Sequence, residues 1–107
     1  GEVHHTSGTG FILGEIDGAE SARLGRFGAA MRAAGFEPRL SARIRDDIWT
    51  KLIGNLSYNP VAALTGALMS DINANPALLA LIRRMMLEGM AVGEAYGAKF
   101  LVTLEER

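Results

Sequence analysis

Cysteine is absent from this chain of 107 residues, and proline, aromatic residues and net charge are scarce: three prolines, 7% aromatic residues and a formal net charge of -1. Without cysteine there is no disulfide, thiolate nucleophile or thiolate metal ligand, which agrees with an intracellular setting. With no basic excess, nothing in the composition recruits nucleic acid. No apolar run approaches the roughly 18 residues a membrane-crossing helix needs, and the N-terminus has no signal-peptide pattern. A cytoplasmic location without a membrane partner is therefore expected. What the chain does contain, 49% hydrophobic and 21% charged residues, is the composition of one globular domain or a piece of a larger one.

Gly1 to Gly10 leads into Phe11-Ile12-Leu13-Gly14-Glu15-Ile16, a pattern that predicts two short strands joined by a glycine-rich turn. A hairpin alone is marginal in water. Strands at the start followed by helices imply that further strands of the same sheet lie upstream, outside this chain. From Ala19 the period changes. Leu24, Phe27, Gly28, Met31 and Ala34 follow helical spacing, with Gly35 placed to end the helix in a left-handed cap. Phe36 to Leu40 is short and extended, and Pro38 restricts it to an edge strand or a connector.

Ser41 then opens a second helix, which is expected to end or kink at Pro60. Asn59-Pro60 and Asn75-Pro76 each fit an N-cap followed by proline at the first helical position. They predict a short helix from Pro60 to Leu68 and a long one from Pro76 to Tyr96, stopped by Gly97. Gly89 and Gly93, four apart on the long helix, cost about 1 kcal/mol each against alanine, which points to a packing role. Residues 98 to 107 permit either a continued helix or a loop.

The chemistry concentrates in Trp49 to Pro60. Lys51, Asn55 and Asn59 are four residues apart, so at about 100° per residue they form one slowly drifting ridge. Ile48, Trp49, Leu52, Ile53 and Leu56 run beside it and are expected to press this helix into the core. Lys51 has two readings: a lysine whose stem follows apolar surface while its ammonium meets water, or a general acid whose pKa is lowered by its surroundings so that it can protonate a carbonyl oxygen. Asn55 reads as a satisfied helical polar residue and Asn59 as a cap, or both as carboxamides that hold a hydroxyl and a carboxylate. Glu88, within an apolar stretch, either faces solvent or partners a cation.

Other candidates fall away. His4 and His5 are adjacent, and in a strand they would face opposite sides, so they cannot clasp one metal ion. Gly8-Thr9-Gly10 lacks both the G-x-G-x-x-G spacing and a following helix N-terminus. Met85, Met86 and Met90 lie at helical spacing and read as core filler. No metal site is expected.

Trp49-Thr50-Lys51-Leu52 continuing to Asn55, then Tyr58-Asn59-Pro60-Val61-Ala62-Ala63-Leu64-Thr65-Gly66, resembles the signature that opens the C-terminal domain of the ketopantoate reductase (2-dehydropantoate 2-reductase) family. Gly1 to Gly14 is similar to the last strands of that family's nucleotide-binding domain, and Glu88 to Gly97 to its long-helix pattern. The resemblance implies a mainly α fold of the 6-phosphogluconate-dehydrogenase C-terminal-domain-like type with a short N-terminal β-hairpin remnant. Residues 1–18 would then be terminal strands of a truncated nucleotide-binding domain, and 19–107 part of a helical substrate and dimerisation domain.

It also implies reduction of 2-dehydropantoate to pantoate with NADPH, in pantothenate and coenzyme A biosynthesis. Lys51 would be the catalytic acid, Asn55 and Asn59 would hold the small 2-keto acid substrate, and Glu88 would support the lysine. NADPH would be bound mainly by the missing N-terminal domain, leaving these residues inactive alone, and a homodimer would be compatible with the domain. The alternatives are a related reductase for another 2-keto acid or ketone, and a noncatalytic helical module that mediates association.

Overall fold

A computed structural model describes residues 1–100, 102 and 103. The chain divides into two compact units, residues 1–44 and residues from 45 onward.

The first unit holds β1 (Gly10–Leu13), α1 (Ala22–Ala33) and β2 (Glu37–Leu40). The two strands pair in parallel, with Gly10 opposite Glu37 and Leu13 opposite Leu40. The expected N-terminal hairpin therefore does not form. Parallel strands require a crossover connection, and α1 supplies it, so the partner of β1 comes from beyond the helix rather than from residues 1–9. Pro38 fits this ladder because its neighbours make the bonds: Glu37 N donates to Thr9 O and Ser41 N to Leu13 O. By the strand's two-residue alternation, the proline nitrogen faces away from β1.

Ser21 starts α1 by accepting the Leu24 amide at 3.0 Å, and Leu24 and Gly28 are its buried positions. A Cβ at Gly28 would come within 3.2 Å of Leu40 Cδ2, so the missing side chain lets helix and strand close together. Gly35, at φ +86°, ends the helix. Its amide donates to Arg32 O while Phe36 N donates to Met31 O, the two bonds of a Schellman cap.

The second unit is built from α2 (Ile44–Thr65), α3 (Met69–Ala74) and α4 (Pro76–Ala95). Its core joins Ile53 and Val61 of α2, Ile72 of α3, and Ile82 and Met86 of α4. Tyr58 Oη donates to Asn73 Oδ1 at 2.9 Å, tying α2 to α3. α4 matches its sequence expectation closely. Asn75 Oδ1 accepts from Ala77 N at 3.0 Å and Leu78 N at 3.2 Å, and a second Schellman pair, Gly97 N to Glu94 O and Ala98 N to Gly93 O, closes its end.

Two expectations for α2 are corrected. The helix does not stop at Pro60 but continues to Thr65, so Asn59 is helical and caps nothing, and no helix starts at Pro60. An interior proline costs about 3 kcal/mol, whereas burial of one aliphatic side chain returns about 1.5–3 kcal/mol. Val61, 5% exposed, is anchored in the core immediately after the proline, and Gly66 at φ +67° provides the true stop. The short helix is α3, which begins beyond that glycine. Residues 98–100 are irregular; Leu101 and 104–107 lie outside the described residues. Among the described residues no helix is long and apolar enough to cross a membrane.

Candidate functional site

One face of α2 carries the proposed chemistry. Its buried positions are Asp46, Asp47, Thr50, Ile53, Ser57 and Val61, and turning about 100° per residue they form a stripe along one side. Lys51, Asn55 and Asn59 are all exposed on the opposite side. Lys51 Nζ donates to Asn55 Oδ1 at 3.1 Å, so the first two members of the ridge are joined directly. Asn59 continues the row one turn further on.

The apolar neighbours are arranged differently from the sequence reading. Ile53 is buried, and Leu56 packs partly against the core, but Ile48 is 56% and Leu52 40% exposed, on the same side as the ridge. Hydropathy misplaced the helix's inner face because that face is half polar. Two of these buried polar groups are bonded as follows: Ser57 Oγ donates to Ile53 O at 2.8 Å, and Asp46 Oδ1 accepts the Lys99 amide at 2.9 Å.

That Asp46 bond was not foreseen. It joins the first turn of α2 to the segment just past α4, where an acidic side chain also suits the helix dipole. Trp49 was read as part of the apolar stripe; it stacks on Tyr96 with ring centroids 6.2 Å apart and 23° between planes. Gly93 makes room for it, since a Cβ there would lie 2.9 Å from Trp49 Cε3 and 2.7 Å from Phe100 Cζ. The small-residue spacing of α4 thus receives side chains from α2 and the segment after α4. The only sequence signal was the glycine itself.

Glu88 lies exposed on α4, and among the described residues no ion pair joins it to Lys51. His4 and His5 have separate neighbours: His4 Nε2 is 3.5 Å from Glu2, and His5 Nε2 is 2.9 Å from the Gly8 carbonyl. A cavity of about 390 Å³ in the first unit, lined by Ser21, Leu24, Leu40 and Ser41 among others, contains none of the ridge residues.

The β1–α1 loop shows whether this βαβ unit could cradle a dinucleotide. It reads Gly14-Glu15-Ile16-Asp17-Gly18-Ala19-Glu20-Ser21, with three carboxylates where a pyrophosphate would need backbone donors and glycines. Ser21 already caps α1 and donates to Glu15, which also receives Arg23. Those hydrogen bonds, Arg23 first and Ser21 second, hold the Glu15 carboxyl below its ordinary pKa, and Glu15 in turn raises that of Arg23. The residues present do not fit a nicotinamide dinucleotide.

A helical unit with an exposed lysine–asparagine ridge, preceded along the chain by a parallel βαβ unit, defines the class: a mainly helical domain that follows an α/β segment. The comparisons name it. The family model "Ketopantoate reductase PanE/ApbA C terminal" matches residues 43–107. A 2-dehydropantoate 2-reductase of Mesorhizobium japonicum is 41% identical over 100% of this chain and 33% of its own length; one from Halobacterium salinarum is 28% identical over 100% of this chain and 35% of its own length. The solved structure "Crystal structure of a putative ketopantoate reductase from Ralstonia solanacearum MolK2" has a TM-score of 0.90 and 37% identity, covering 95% of this chain and 32% of that one. The chain belongs to the ketopantoate reductase family. It spans about a third of the length of the curated relatives it matches.

Proposed function

We propose that these residues form the substrate side of an NADPH-dependent reductase that converts 2-dehydropantoate to pantoate, with Lys51 as the general acid. The observation that carries the reading is the exposed Lys51–Asn55 pair, 3.1 Å apart, on the face of α2 turned away from its core. An ammonium so placed can reach a ketone oxygen and give it a proton as negative charge gathers there. The Asn55 carboxamide holds the lysine in place through its oxygen and keeps its NH₂ available to an oxygen of the substrate. Asn59, a turn along, adds a second carboxamide for the hydroxyl or carboxylate. Glu88, exposed on α4, is assigned a supporting role. The hydride comes from a nicotinamide coenzyme that the residues here do not hold, and the location proposed is the cytoplasm.

Two assays test this. Oxidation of NADPH by the intact protein is followed with 2-dehydropantoate, pyruvate and 2-oxoisovalerate at equal concentration, with strong preference for the first expected. Failure of all three leaves the fold without this substrate. The 107 residues alone are expected to give no NADPH oxidation above background, because their βαβ loop does not suit the coenzyme.

A further inference from the structure

The exposed face of α2 is not purely polar, and its apolar part is in register with its polar part. Taking about 100° of turn per residue, Lys51, Asn55, Ile48, Asn59 and Leu52 all fall within roughly 100° of arc, opposite the buried stripe. Ile48 precedes Lys51 by three residues and Leu52 precedes Asn55 by three. Residues at that spacing are neighbours on a helix surface, with Cβ atoms about 5–6 Å apart. Lys51 and Asn55 therefore each have an apolar companion on the next row, and a molecule whose oxygens reach them lies against Ile48 and Leu52.

We infer that Ile48 and Leu52 form the alkyl-binding wall of the site and select 2-keto acids branched at the carbon beside the ketone. This deepens the function proposed above and rests on it. The two side chains, 56% and 40% exposed, present a patch far smaller than the roughly 800 Å² per partner of a standard protein interface. Lys51, Asn55 and Asn59 border that patch closely. Such a mixed surface suits a small amphipathic molecule: the carboxylate and ketone meet the polar row while the branched carbon meets the apolar row. A substrate lacking the branch leaves the wall wet and gains little from it.

Ile48→Ala, Leu52→Ala and the double variant of the intact protein are compared with the unsubstituted protein for kcat/KM on 2-dehydropantoate and on pyruvate, for KM of NADPH, and for thermal midpoint. Removing alkyl contacts from a binding wall lowers kcat/KM on the branched substrate by about 10-fold to 100-fold. The expected result is that loss, with a much smaller one on pyruvate and no change in NADPH KM or midpoint. An unchanged kcat/KM overturns the inference. So does a rise in NADPH KM, which assigns the face to the coenzyme, or a fall in midpoint with equal loss on both substrates, which assigns it to packing against another part of the protein. An unsubstituted protein that reduces neither substrate removes the underlying function and the inference with it, an outcome distinguishable from all three.

Discussion

Glu15 shows how a single side chain can set a local pH dependence. Arg23 and Ser21 both donate to its carboxylate and lower its pKa from the ordinary 4.5. A carboxyl whose folded-state pKa is depressed contributes stability that is present above the unfolded value and disappears as pH falls through the folded one. The intact protein should therefore be more stable than its Glu15→Gln variant at pH 7, and the difference should shrink progressively as pH is lowered below about 4.5. Thermal midpoints of the two proteins measured between pH 7 and 3 check this, and a difference that does not vary with pH would contradict it. Nothing in the sequence marked this cluster, because Glu15 and Arg23 are eight residues apart and meet only when the loop folds back onto the first turn of α1. Lys51 and Asn55 are the opposite case. Their four-residue spacing alone put them on one ridge, and the 3.1 Å bond between them follows from ordinary helix geometry.

Elements were legible where their signals were local. Asn75-Pro76 and Gly97 bracket α4 at both ends, and Gly35 closes α1, because capping chemistry resides in a few adjacent residues. The pairing of β1 was not legible. Its partner lies beyond a helix, and the pattern of a short apolar strand does not say whether its neighbour is the preceding or the following segment. The inner face of α2 was hidden for another reason: Asp46, Thr50 and Ser57 face inward while Ile48 and Leu52 face outward, so hydropathy and burial run in opposite senses.

Glycines separate two environments at this scale. Gly25 sits inside α1 with nothing within 4 Å of an added Cβ, so Gly25→Ala should stabilise the protein by about 0.5–1 kcal/mol through lower chain entropy and better helix propensity. Gly93 is filled by Trp49 and Phe100, and Trp49 is itself stacked on Tyr96. Gly93→Ala should therefore destabilise, because overpacking a tight contact costs about 1–3 kcal/mol, at or above the helix-propensity gain of about 1 kcal/mol. Urea titration of both variants compares them directly; the same sign of change in the two would contradict the packing argument.

For the whole molecule, the chain belongs to the ketopantoate reductase family and spans about a third of the length of the curated relatives it matches. On the function proposed above, what these residues contribute is Lys51 as the acid and the carboxamides of Asn55 and Asn59, held outward on a helix whose other side is anchored by Ile53, Val61 and their partners across three helices. The acidic β1–α1 loop does not suit the phosphates of a dinucleotide. The measurement that bears most directly on this division of labour is the turnover of 2-dehydropantoate by the intact protein carrying Lys51→Ala. Because Lys51 is exposed, the variant should keep its thermal midpoint while kcat falls by about 10² to 10⁴, the scale of a lost general acid. A near-normal kcat would remove Lys51 from the mechanism and contradict the site proposed for this family member.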